Sequence, residues 1–245
     1  MVKDKEHVLF GGDRSWKASD WTASDDRVRG GKSQSYLEIS GSSARFHGHL
    51  DIETLGGAGF ASQRTVAEDN TWDVSHYDGI LLNLGKSDGK RYTFILKDEL
   101  LPQNPDNGRE QATISWEHDF VVSEDAAQAE SSFVYIPWKK LKPTYRGKEK
   151  KGVTKFDTKN VKRCSLMMRS FFGDQQGDFS LSVKSIKAVS RSKDLEKGPT
   201  ESAKKATFRA PLLMSLLATS ILAYGICTCL CPCVMNTHAM KHWVW

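Results

Sequence analysis

The sequence predicts an all-β sandwich, and three observations predict it. Apolar and polar residues alternate with a period of two in several separate segments. Gly-, Asn- and Asp-rich turn signals lie between those segments. No stretch before residue 190 carries the 3.6-residue apolar period of an amphipathic helix. Many short strands with few helices argue an antiparallel sandwich, one domain over residues 8–189.

Residues 8–10 read as a short first strand, stopped by Gly11 and Gly12. Trp16 and Trp21 follow in the polar segment SWKASDWTASDD. Two such tryptophans form either a ligand-stacking platform or the edge of a core, and the core edge is expected. Residues 36–52 read as a hairpin turning at Gly41, Ser42 and Ser43, with Ala44, Phe46, Gly48, Leu50 and Ile52 on one face. Gly56, Gly57 and Gly59 break that strand, and residues 60–65 form another, carrying Arg64 among small residues. A buried charge without a partner is costly, so Arg64 is expected to pair with a carboxylate or with backbone carbonyls across the sandwich.

Trp72 and Val74 lead into the apolar run 79–84. The turn KSDGK at 86–90 precedes residues 91–97, where Tyr92, Phe94 and Leu96 share a face. An apolar run, an Asp-Gly turn and an alternating strand predict a hairpin here. Residues 101–109 read as a loop, and 111–122 as a strand with Trp116, His118 and Phe120 inward and Glu117 and Asp119 in water. Further strands are expected at 133–138, 161–172 and 179–188, the last with a bulge at Lys184 and Ser185 where its apolar phase shifts.

Composition bounds the function. Of 245 residues, 39% are hydrophobic and 27% charged, enough to bury a core, and a net charge of +5 is too mild to argue for nucleic acid. Cys164 is the one cysteine before residue 227, which gives the domain no disulfide framework and suits a reducing compartment. The first residues, MVKDKEHVLF, resemble neither a signal peptide nor a mitochondrial presequence. Residues 190–209 read as a polar, disordered linker. From 210 to 240 there is no Asp, Glu, Lys or Arg. Residues 211–231, opened by Pro211 and ending at Cys231, would reach about 32 Å as a helix, enough to cross a bilayer. The segment 210–235 is therefore expected as a transmembrane tail anchor, with 236–245 a short tail; the alternative is a non-native extension of accidental hydrophobicity.

Catalytic motifs fail on inspection. Gly30, Gly31, Lys32 and Ser33 resemble the end of a phosphate-binding loop, but Asp26 occupies the position of its first glycine. Gly57 and Gly59 open a dinucleotide fingerprint that Ser62 does not complete. His47, His49 and Asp51 lie on one strand face at roughly 6.6 Å intervals, too spread to share a metal comfortably. Glu117 and Asp119 could suggest glycoside hydrolysis, but nothing marks one of them as an acid of raised pKa. No catalytic residue, metal site or cofactor is expected, and the chain does not read as an enzyme.

A basic run is the clearest surface signal. Residues 139–163 hold eleven Lys and Arg against Glu149 and Asp157; Lys139, Lys140, Lys142, Arg146, Lys148, Lys150 and Lys151 are its densest part. It reads as a lysine-rich loop blunting a sheet edge, or as a surface for an acidic protein or a membrane, with nucleic acid ranked below. With Trp16, Trp21 and Trp72 these are the candidate interaction residues.

DDRVRGGKSQS at 25–35, FHGHLDIETLGGAGFASQRT at 46–65, YDGILLNLGKSDGKRYTFILKD at 77–98 and GDFSLSVKSIKAV at 177–189 together resemble the complex I intermediate-associated protein 30 family. The resemblance implies a galactose-binding-like jelly-roll sandwich and a non-catalytic, chaperone-like mitochondrial assembly factor for NADH:ubiquinone oxidoreductase, with complex I subunits or assembly intermediates as partners. Carried onto this chain, the family motif is Asp26, Val28, Gly30, Gly31 and Ser33, with Gly57, Phe60 and Arg64; Arg29 stands where a methionine is usual. A carbohydrate-binding module is a second reading, and an adaptor anchored in a membrane with its domain facing the cytosol a third.

Overall fold

The computed structural model describes residues 5–66, 71–122 and 131–190. The expected linker beyond Ser190, the apolar segment 210–235 and the tail 236–245 lie outside the described residues. Those described all belong to one compact unit, residues 1–198. Its strands in chain order are β1 (Glu6–Gly11), β2 (Trp21–Ala23), β3 (Gln34–Ser40), β4 (Ser43–Leu50), β5 (Phe60–Thr65), β6 (Gly79–Ser87), β7 (Arg91–Lys97), β8 (Ser115–Val121), β9 (Ser132–Pro137), β10 (Lys142–Tyr145), β11 (Lys148–Glu149), β12 (Arg163–Arg169) and β13 (Gly177–Val189). Three short 3-10 turns, Ala18–Asp20, Asp26–Arg29 and Trp138–Lys140, are the helical elements among the described residues.

The strands form two sheets, entirely antiparallel. The first runs β3-β4-β13-β6-β9, with β1 also paired to β13; the second runs β11-β10-β8-β7-β12-β5-β2. Alternation drives their inner faces together. Phe46 and Leu50 of β4, Leu82 and Leu84 of β6 and Leu181 and Val183 of β13 meet Tyr92, Phe94 and Leu96 of β7 and Leu166 and Met168 of β12 in one core. Burying each such side chain contributes about 1.5–3 kcal/mol. Trp16 and Trp21 are 5% and 6% exposed and close one end of this core around Phe10. The core-edge reading of the pair therefore holds, and neither offers a stacking face. Trp72 packs edge-on against the same Phe10.

β13 is the longest strand and the centre of the first sheet. On one side it pairs with β6; on the other, Gly177 to Val183 pair with β4 and Ser185 to Val189 with β1. Its register against β6 shifts between Val183 and Ser185, where the phase change predicts a bulge.

The expected hairpin at Asp88 and Gly89 is not one. β6 belongs to the first sheet and β7 to the second, so the turn carries the chain across the sandwich. Asp88 fastens the crossing. Its carboxylate accepts from the Ser180 backbone N–H at 3.0 Å on β13, the Lys90 N–H at 3.0 Å and the Tyr92 hydroxyl at 2.8 Å. A tight Asp-Gly turn and two flanking strands look alike whether the second strand pairs with the first or departs from it. β2, β10 and β11 are strands that the sequence did not signal, and β8 and β12 are shorter than expected. His118 lies at the margin of the core: it is half-buried, with Nδ1 3.4 Å from the Lys140 carbonyl, and burial lowers its pKa.

Candidate functional site

Two adjacent aspartates organise the surface beside the second sheet. Asp26 is fully buried, and its carboxylate accepts from the Ser33 N–H at 3.1 Å, the Ser33 hydroxyl at 2.7 Å and the Phe60 N–H at 3.1 Å. Asp25 accepts in parallel from the Ser35 N–H at 3.2 Å, the Ser35 hydroxyl at 2.6 Å and the Ser62 N–H at 2.9 Å. Together they join β3 and its approach to β5, across the two sheets. A carboxylate held by several donors satisfies its buried charge without a cation. Gly31 follows from this: a Cβ there would overlap the Asp26 carboxylate, so only glycine fits. Gly30, in the left-handed region at φ 83°, ends the 3-10 turn.

The motif residues Asp26, Gly31 and Ser33 are thus spent inside the fold, with Phe60 half-buried beside them and Gly30 exposed at the end of the turn. What they hold outside is a ridge, Arg27-Val28-Arg29. Val28 is 77% exposed, an apolar side chain set on a braced turn, and the Arg29 guanidinium lies 5.5 Å from the centre of the Phe60 ring.

Facing the ridge is the outer surface of the second sheet, whose chemistry the alternation rule misjudges. Glu117, expected in water, is 9% exposed. Its carboxylate pairs with Arg169 at 2.7 Å and accepts from the Thr144 hydroxyl at 2.7 Å. Asp119 does remain exposed, accepting from Thr93 at 2.6 Å. Strand register sets Arg64, Ser165, Ile95 and Glu117 in one row across β5, β12, β7 and β8. Arg64 pairs with a carboxylate, as expected, but on this outer face and not through the core. Its partner is Glu110, at 3.4 Å, whose other oxygen pairs with the buried Arg163. Burial alone would raise the Glu110 pKa, but the hydrogen bond from Arg163 and the charges of Arg163, Arg64 and Lys97 hold it below its ordinary value.

Glu110 arrives on the segment between β7 and β8, which lies over one side of this face; Lys97 reaches up to the Thr113 hydroxyl at 2.9 Å. Between that segment and the ridge a groove of about 1170 Å3 opens. Arg27, Arg29, Arg64, Arg109 and Arg146 line it against Glu110 and the already engaged Asp25. Arg146 is held in the left-handed region at φ 52° in the β10–β11 turn, beside the Tyr145 ring.

The basic run is divided by the fold. Arg146 turns to the groove, whereas Lys139, Lys140, Lys142, Lys148, Lys150 and Lys151 stand exposed around the β10–β11 edge of the second sheet. Gly57 lies apart, in the turn before β5. His47 and His49 stand on the outer face of the first sheet, His47 stacked on Tyr36 and His49 2.7 Å from Asp178. Among the described residues no group of three or more His, Cys, Asp or Glu converges as metal ligands, and no helix is long and apolar enough to cross a membrane. Sequence reasoning missed Arg109, Glu110 and Arg169, and it counted Arg163 in the basic surface run although that side chain is buried. The available signal was RCSLMMR in β12, an apolar strand with an arginine at each end on one face.

The family model for complex I intermediate-associated protein 30 matches residues 8–183. An uncharacterized protein of Schizosaccharomyces pombe is 43% identical over 187 residues, covering 74% of this chain and 83% of that one. Among solved structures, the family 11 carbohydrate-binding module of the cellulosomal cellulase Lic26A-Cel5E of Clostridium thermocellum aligns with a TM-score of 0.50 at 13% identity, over 76% of this chain and 95% of the module. That likeness is one of fold, a β-sandwich of the same general build. The match across nearly all of the sandwich, with the motif aspartate and glycines bracing its surface, establishes that this chain belongs to the complex I intermediate-associated protein 30 family.

Proposed function

We propose that this protein is a non-catalytic, chaperone-like interaction module that serves mitochondrial complex I assembly by binding its subunits or assembly intermediates. Family membership supports the assembly role. The observation that carries the binding mode is the division of labour within the motif: buried Asp25, Asp26 and Gly31 brace a ridge whose exposed Val28 and arginines border an open groove. On this reading the jelly-roll sandwich is a rigid support, and recognition resides in its loops and one sheet face. The proposal places the protein in the mitochondrion; the apolar segment 211–231 makes a membrane-anchored form the alternative, and a fluorescent fusion with and without that segment decides between them.

Deleting the gene and resolving complex I on native gels tests the role. Loss of the mature complex with accumulation of intermediates is expected, and re-expression of a Val28→Asp, Arg29→Asp variant should restore less than the wild-type chain. Unchanged complex I in the deletion would reject the proposal.

A further inference from the structure

The groove has an occupant of its own that indicates what it is built to hold. Glu110 sends one carboxylate oxygen to Arg163 and the other to Arg64, so the two guanidiniums form a seat for a planar, two-oxygen anion. Glu110 itself is 39% exposed at its side chain, whereas the Arg163 side chain beneath is 4% exposed and its Nε is buried without a hydrogen-bond partner. Around this seat stand four further arginines, at positions 27, 29, 109 and 146, and each is exposed. The one other carboxylate in the lining, Asp25, is 1% exposed; it is committed to Ser35 and Ser62 and lies 3.7 Å from the Arg27 guanidinium, which leaves Arg29, Arg109 and Arg146 without a carboxylate of the lining assigned to them.

The remaining lining narrows the class of ligand. The side-chain oxygens of Asn104 and Asn107 are taken by the Asp106 and Arg109 N–H groups, and the Gln111 amide donates to the Pro102 carbonyl. This leaves the two asparagine NH2 groups as donors toward an acidic chain, and Val28 and Leu101 offer apolar surface. Tyr145 is the one aromatic in the lining, whereas single-stranded nucleic acid uses successive stacking platforms. A concave cleft between a ridge and a loop also does not lie flat on a bilayer.

We propose that this groove binds a glutamate- or aspartate-rich segment of a protein partner, its carboxylates pairing with the rim arginines and one of them entering the Arg64–Arg163 seat in exchange for Glu110. The inference rests on the protein-binding reading above and names the chemistry of the segment bound. Glu110 is then an internal competitor, and the partner's acidic chain is what moves it aside.

Fluorescence anisotropy with the full-length chain and labelled dodecaglutamate tests this. Saturable binding that weakens as salt rises is expected. Arg29→Ser with Arg146→Ser, at positions that hold no buried partner, should weaken it by about fivefold per arginine. Glu110→Gln should tighten it severalfold, because the competing charge is gone while the amide still fills the seat. Absent binding, rim variants that bind as well as wild type, tighter binding of an oligouridine or of phosphatidylserine vesicles, or weaker binding by a folded Glu110→Gln chain would each overturn the inference. Should Glu110→Gln fail to fold, the rim pair decides alone. Lost complex I in the deletion strain together with no dodecaglutamate binding would remove this inference and leave the assembly role standing.

Discussion

The outer faces of the two sheets obey the same alternation and end in opposite states. On the first sheet, Glu38 meets Arg45, His47 stacks on Tyr36 and His49 meets Asp178, all toward solvent. On the second, Arg163, Glu117 and Arg169 are largely buried, and the segment bearing Glu110 and Thr113 covers part of the face. The difference is one of cover and charge placement, since the strands themselves are equivalent. Charges at the open face are screened and contribute little, whereas those under cover are fixed by their partners. A protein keeps ion pairs in the second setting at a cost in desolvation, and it is on that face that the proposed groove lies.

Four substitutions probe this contrast. Asp26→Ala should have the largest effect, since it strips the bracing that both faces share. Three donors, two from Ser33 and one from Phe60, would be left in a dry site, and urea denaturation should show a loss of about 4 kcal/mol. Glu117→Ala should cost about 3 kcal/mol by the same measurement, because it leaves Arg169 short of its carboxylate under cover.

Glu110→Gln should have a smaller effect, about 1 kcal/mol at neutral pH. Its signature is the acid limb. The folded pKa of Glu110 lies below the ordinary 4.5, so its stabilisation is present above pH 4.5 and is lost as pH falls through the folded value. The variant should lack that part of the acid transition. Arg45→Ala on the open face should change stability by about 0.5 kcal/mol or less, and added salt should erase even that. An Arg45→Ala cost equal to that of Glu117→Ala would break the contrast between the faces.

The strands and the core were legible wherever period two met burial on one face. β4 shows this best: Ala44, Phe46 and Leu50 are buried and Arg45 and His49 exposed, as read. The bulge near Ser185 was legible because the apolar phase itself slips there. The site was largely illegible, for a physical reason. Alternation tells which residues leave the core, but not whether another segment then covers them, and Glu117 was misplaced on that account. Glu110 sits in a loop with no pattern, and its importance comes from partners 46 and 53 positions away in sequence. The aspartate lock lay between these cases. The motif was recognisable at Asp26, Gly31 and Ser33, but its role as internal bracing needed the positions of Phe60 and Ser62.

The central place of β13 bears on how the chain is made. It is the last strand of the sandwich, yet β1, β4 and β6 all hydrogen-bond to it. As the polypeptide leaves the ribosome, β4 and β6 must wait with open edges until residues 177–189 emerge. The first sheet closes only then, through pairings such as Glu6 with Val189 that span almost the whole domain. Such long-range closure is slow, and unpaired edges are aggregation-prone in the interval. A ribosome stalled before residue 177 would therefore present a nascent chain whose first sheet is split into a β3–β4 pair and a β6–β9 pair with open edges, a client for holding chaperones until synthesis resumes.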